Sequence, residues 1–220
     1  MTLKLALKKV TATPIQVIVK FRRLRAWHLS VIILTLLIMF TIHPFLAINK
    51  PVDGEILVVE GWLPNYALRA AIDEFNKGDY RYLVTTGGPL PNSSKFSGYS
   101  NYAEFSAKKL KDLGFDENLL IAVPAPRVKR NHSYSFAVAF REWLLHSNLD
   151  IKAVNVFTLG AHARKSYVLY SKVLRPNLRV GVIAAKPRGY DPKFWWSSVE
   201  GIKWVLQDAI GYIYAMIWSF

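Results

Sequence analysis

Three short apolar runs in this chain stop abruptly at small or titratable residues. Ile56-Leu57-Val58-Val59 ends at Glu60-Gly61-Trp62, Tyr82-Leu83-Val84 at Thr85-Thr86-Gly87-Gly88, and Val154-Asn155-Val156-Phe157 at Thr158-Leu159-Gly160-Ala161-His162-Ala163-Arg164. Short, largely apolar runs of this kind suit strands covered on both faces, as in parallel sheets. Ligands in open parallel sheets bind outside the carboxyl ends of the strands, so glycines and titratable groups recurring there predict one shared pocket. Strands are expected over Ile56–Val59, Tyr82–Thr85, Leu119–Val123, Val154–Leu159 and Arg179–Ala184. Helices are expected over Asn65–Lys77, Tyr99–Leu113, His132–His146 and Ala163–Leu174. Gly78 and Gly114 fall where helices commonly stop. This alternation gives an α/β three-layer sandwich around a mostly parallel sheet.

Leu29 to Ile48 carries no formal charge and is long enough for a transmembrane helix, at about 1.5 Å per residue against a bilayer core of about 30 Å. Lys4, Lys8, Lys9, Lys20, Arg22, Arg23 and Arg25 precede it with no acidic residue, so the positive-inside rule keeps the N-terminus in the cytoplasm. The run exceeds a usual signal-peptide core, and Phe45-Leu46-Ala47 is a poor cleavage site, which favours a retained anchor. The expected organisation is a basic cytoplasmic segment over 1–28, the membrane helix over 29–48, an extracytoplasmic α/β domain over 49–191 and an aromatic-rich terminal helix over 192–220. That last stretch holds Phe194-Trp195-Trp196, Trp204, Tyr212, Tyr214 and Trp218 together with Glu200, Lys203 and Asp208. Its charges argue against a second span and for a helix packed on the domain or on the membrane interface.

Seven of the chain's 29 Lys and Arg precede the membrane, leaving 22 against 15 Asp and Glu beyond it. The outer domain is still basic, but its charges are scattered and its compartment is wrong for nucleic acid, so anionic lipid head groups or phosphorylated envelope intermediates fit better. The absence of cysteine removes disulfides, thiolate nucleophiles and thiolate metal sites.

Glu60 directly follows the first expected strand, at the carboxyl edge of the sheet, where a carboxylate could serve as base or metal ligand. Gly61 and Thr86-Gly87-Gly88 let the backbone approach a ligand and offer amides to an anion. His162, just after a strand and two residues before Arg164, could bind a phosphate jointly with that guanidinium and move a proton. Arg127, Lys129 and Arg130, and Lys186 and Arg188, add positive charge on the same edge, and Glu104 lies in the helix after the glycine turn. Leu90 to Gly98, with Asn92, Ser93, Ser94 and Lys95, has the length of a flap, and Ser133 and Tyr134 stand where they could cap a helix. No GxSxG elbow, HExxH helix, GxGxxG or P-loop sequence is present. These residues name no cofactor and leave metal use open.

The order ILVVEGW, TTGG, Tyr102-Ala103-Glu104, Arg130 to Tyr134 and TLGAHARKS resembles the family of domain of unknown function 218, the SanA/ElyC/YdcF-like proteins, over roughly 53–185. The resemblance implies a Rossmann-like domain, often anchored in the bacterial inner membrane and linked to envelope and peptidoglycan integrity, with no settled reaction. Family members often have glycines in place of Glu60-Gly61-Trp62 and a Thr-x-Glu-Asn pattern in place of Ser133-Tyr134-Ser135-Phe136. The EGW form and the aromatic C-terminal stretch look like a distinct subgroup.

The expectation is thus a membrane-anchored envelope biogenesis factor, an enzyme or binder of phosphorylated, lipid-linked saccharide intermediates. In it Glu60, His162 and Glu104 are the catalytic candidates, and Gly61, Thr86, Gly87, Gly88, Arg130 and Arg164 the ligand-binding ones. The alternative is a non-catalytic scaffold that organises envelope synthesis proteins.

Overall fold

The computed structural model describes residues 14–91 and 98–217. Lys4, Lys8 and Lys9, the flap candidates Asn92, Ser93, Ser94 and Lys95, and Trp218 lie outside the described residues. The chain divides between Thr41 and Ile42 into two units. The first holds most of helix α1 (Pro14–Leu46), whose portion Arg25–Leu46 is long and apolar enough to cross a membrane. This helix starts well before the apolar run and stops two residues short of Ile48.

The second unit contains five strands, all parallel, in the order β3-β2-β1-β4-β5: β1 (Ile56–Glu60), β2 (Tyr82–Gly87), β3 (Leu120–Pro124), β4 (Ala153–Leu159) and β5 (Arg179–Ala185). Helices α2 (Asn65–Phe75), α3 (Tyr102–Asp112), α4 (His132–His146), α5 (Ala163–Leu174) and α6 (Val199–Ile217) follow in turn. Side chains alternate across each strand, so Ile56 and Val58 pack with Phe136, Phe140 and Tyr170 on one face, while Leu57 and Val59 pack with Leu68, Phe75 and Leu110 on the other. α3 begins at Tyr102, later than the apolar pattern suggests, because Asn101 caps it by accepting from the Glu104 amide at 2.9 Å. Pro192–Ser197 forms a separate 3-10 segment with a kink at Phe194, so the aromatic terminal stretch is two elements and not one helix.

Strand order reverses between β1 and β4, which pair with Val59 opposite Phe157. Glu60 and Thr158 therefore come together at the topological switch point, where the crevice of such a sheet opens.

The segment between α1 and β1 reads as a short polar linker in sequence, yet it is sewn onto the sheet. Lys50 and Val182 exchange backbone hydrogen bonds of 2.8 and 3.0 Å. The buried Asn155 side chain accepts from the Val52 amide (2.9 Å) and donates to the Val52 carbonyl (2.8 Å) and the Tyr80 hydroxyl (2.8 Å). The Glu55 amide donates to Ala153 O at 2.9 Å. Asn155→Ala strands the polar atoms of Val52 and Tyr80 and is expected to cost about 1–3 kcal/mol, seen as a lower midpoint in thermal unfolding of the detergent-solubilised chain.

Candidate functional site

His162 ends a 3-10 turn, Gly160–His162, that directly follows β4, and its side chain is almost wholly buried. Nδ1 lies 2.7 Å from Asp208 Oδ1, on α6. An ionised carboxylate only accepts, so Nδ1 carries the hydrogen and Nε2 is turned the other way. There it faces Glu60 Oε2 at 3.6 Å and Ser133 Oγ, on the first turn of α4, at 3.4 Å. The first separation is an ion-pair distance, and the second is long for a hydrogen bond. One imidazole thus joins β1, α4 and α6.

The carboxylates flanking His162 are held differently. Glu60 is fully buried, and Ser166 Oγ donates to its Oε1 at 2.9 Å. Its Oε2 accepts from Thr158 Oγ1 and, at 3.2 Å, from Trp62 Nε1. Asp208 accepts from Lys165 Nζ at 3.3 Å besides His162. Burial pushes the Asp208 pKa up, but the hydrogen bond and positive charge of His162, with the charge and hydrogen bond of Lys165, outweigh it and hold the group below its ordinary value. Nearby, burial and then the Asp208 charge push the Tyr190 hydroxyl up, and burial and then the Glu60 charge do the same to Tyr170.

A carboxylate depressed in the folded state stabilises the fold above its unfolded pKa and loses that contribution as pH falls through the folded one. The window for Asp208 therefore lies below 3.8; His162 and Lys165 face it directly, and the Glu60 carboxyl stands on the far side of the His162 ring. Acidification is expected to narrow the gap in unfolding midpoint between the parent chain and Asp208→Asn, measured from pH 6 down through that window.

Trp62 and the C-terminal aromatics close over this centre. The Trp62 ring meets the His162 ring edge-on at 5.0 Å and stacks on Trp204 of α6 at 5.9 Å. The EGW sequence and the aromatic terminal stretch, two separate peculiarities of the chain, are therefore one structural feature. A pocket of about 370 Å³ opens beside it, lined by Trp62, Tyr66, Pro187, Tyr190, Trp204 and Asp208 among others. A smaller cleft of about 220 Å³ is lined by Asn131, Ser133, Lys165, Gly211 and Tyr214 among others.

The other residues singled out in the sequence sit elsewhere or do other work. Arg164 turns away from His162, donates from Nε to the Phe45 carbonyl and lays its guanidinium 3.9 Å from the Phe45 ring centroid. Gly61 and Gly87 make room for the start of α3: a Cβ on Gly61 would lie 2.5 Å from Tyr102 O, and one on Gly87 2.6 Å from Tyr102 Cβ. The Gly61 amide donates to Thr86 O at 2.7 Å, and Gly88 O accepts from the Tyr102 amide at 2.9 Å. Thr86 Oγ1 pairs with the buried Tyr170 hydroxyl at 3.0 Å. Glu104, in the first turn of α3, meets Ser100 Oγ at 3.5 Å, and Arg127, Lys129 and Arg130 are exposed ahead of α4. Among the described residues no three His, Asp or Glu side chains converge on a point that could hold a metal ion. In the cluster, Glu60 and Asp208 approach opposite nitrogens of one ring.

In the sequence Asp208 stands out only as a charge and Ser133 only as a cap, because each reaches the site through a helix distant in the chain. Glu60 and His162, by contrast, follow two strands at the same edge of the sheet, a pattern the sequence carries. No family model and no curated protein matches this chain.

Proposed function

We propose that the chain is a membrane-anchored enzyme of the bacterial envelope that cleaves an ester bond in a phosphorylated, lipid-linked intermediate. The observation that carries the reading is His162 held at Nδ1 by buried Asp208, with Nε2 directed at the Ser133 hydroxyl. A serine, an imidazole and a buried carboxylate in that connection are a nucleophile, a general base and its positioning group. Ser133 Oγ bonds to the phosphorus as the bond to the leaving oxygen breaks, and the Ser133 proton passes to Nε2 and on to that oxygen. Water then repeats the displacement, regenerating Ser133 and releasing the phosphate. The Glu60 and Asp208 carboxylates stabilise the imidazolium formed in between. Lys165 lines the same cleft as Ser133 and supplies a cation for the substrate's phosphate.

The tether supports the substrate class. Arg25–Leu46 is apolar and the segment before it basic, so the proposed orientation puts the α/β unit outside the inner membrane, where lipid-linked envelope precursors are exposed. The resemblance to the domain of unknown function 218 family points the same way.

A fluorophosphonate probe tests the chemistry, since it forms an Oγ–phosphorus bond with an activated serine and expels fluoride. Mass spectrometry of the labelled full chain is expected to find the adduct on Ser133 and to lose it in Ser133→Ala. Absence of labelling, or labelling that survives Ser133→Ala, overturns the serine mechanism. In a strain lacking the chain, Ser133→Ala and His162→Ala are expected not to restore envelope integrity at matched expression. Full restoration by both would favour the scaffold. Removing residues 192–220 would take Asp208 with the aromatics, so point variants carry this test.

A further inference from the structure

We infer that the outer face of α6 is a bilayer-docking surface, which sets the cleft lined by Ser133 and Lys165 at the level of the lipid head groups. The inference rests on the reading of Arg25–Leu46 as a membrane anchor and adds to it where the catalytic unit meets the lipid.

Surface helices normally turn their apolar stripe inward. α6 does the reverse over its length: Val199, Ile202, Leu206, Ile210, Ile213 and Ile217 are exposed at spacings of three and four residues, with Ile210 at 68% and Ile217 at 73%. Its inner side presents Gly201, Val205, Asp208 and Ala215. Leu206 and Ile210 each stand two residues from Asp208, about 200° around the helix at about 100° per residue. The side chain that orients His162 and the apolar stripe therefore occupy opposite faces of one helix. Residues 209–217 contain no charged side chain, and Trp204, Tyr212 and Tyr214 supply the half-buried aromatics that favour a membrane interface. A continuous exposed apolar surface of this kind marks a contact with another phase or protein.

The last turn of α1 identifies the bilayer as the occupant. Ile42–Leu46 belong to the same unit as α6. Leu46 shares a buried cluster with Val205 and Trp195, and the Phe45 ring packs on Tyr212 at 5.5 Å. Arg164 clamps Phe45 from α5, and His43 Nε2 lies 3.2 Å from the Tyr190 hydroxyl at the larger pocket. These residues end the apolar run, so they stand at the boundary of the membrane by chain connectivity, and α6 packs directly on them. A lipid surface lies within reach of the stripe without any further component.

The chain has no cysteine, so Leu206→Cys, Ile210→Cys and Ile213→Cys can each carry one environment-sensitive fluorophore. Full-length protein is reconstituted into phosphatidylethanolamine and phosphatidylglycerol vesicles containing lipid with a nitroxide near the head group. Labels on α6 are expected to be quenched several-fold more than one at Lys108→Cys, on α3, and to emit at shorter wavelength. A label at Leu34→Cys, quenched by a deep nitroxide, reports the anchor. Quenching at Leu34 with water-exposed emission from all three α6 labels overturns the docking surface and leaves the anchor standing. Failure at Leu34 overturns the anchor and the docking surface together. Energy transfer between α6 labels on different copies, without lipid quenching, assigns the stripe to a second copy of the chain and overturns the bilayer.

Discussion

Asp208→Ala is expected to destabilise the full chain by about 3–5 kcal/mol, because it leaves buried partners without their counter-charge. Asp208 is 2% exposed and serves both His162 Nδ1 and Lys165 Nζ from one oxygen, so its removal strands two largely buried donors. Asp208→Asn retains an amide oxygen for Nδ1–H but no charge, and its loss should be smaller. Unfolding in denaturant, followed by tryptophan emission in detergent, checks the order parent, Asn, Ala. Trp204 and Trp62 stack beside the lesion, so their emission should also redden in the native Ala variant. Equal stability of the parent and Ala chains would mean that Asp208 is not paired as the structure has it.

The second large effect is chemical. His162→Ala is expected to slow fluorophosphonate modification of Ser133 by about 10²–10⁴-fold, the usual range for removing a positioned general base. Glu60→Gln should give a smaller loss, since Glu60 approaches Nε2 only at 3.6 Å and contributes charge beside the imidazolium. Equal labelling rates in the parent and His162→Ala would remove His162 from the reaction.

Much of the architecture was legible because buried parallel strands must be apolar on both faces. Ile56–Val59 announces itself as an unbroken run and Val154–Leu159 as one interrupted only by Asn155 and Thr158, and the helix boundaries His132–His146 and Ala163–Leu174 hold to the residue. The site was legible only where chemistry sits at a strand's end, as Glu60 and His162 do. Two residues from His162 in the chain, Arg164 is rotated far around α5 and takes Phe45 as its partner, so proximity in sequence misled. The glycines after β2 carry a signal that sequence cannot split, since close approach by a ligand and close approach by Tyr102 demand the same missing Cβ. Asp208 was hidden by its setting: an acid among aromatics reads as an obstacle to membrane insertion until the fold shows the imidazole 46 residues earlier in the chain.

The stitching of residues 47–55 to the sheet changes what this joint can do. A loose leash would let the α/β unit sample a wide shell about its tether, its reach growing with the square root of linker length. Here Lys50 is paired with Val182, Val52 with Asn155 and Glu55 with Ala153, and Phe45 is gripped by Arg164. The joint is a bracket: residues 45–55 are held to the sheet and to α5 within one unit, so no length of free chain is left between the end of α1 and β1 to extend.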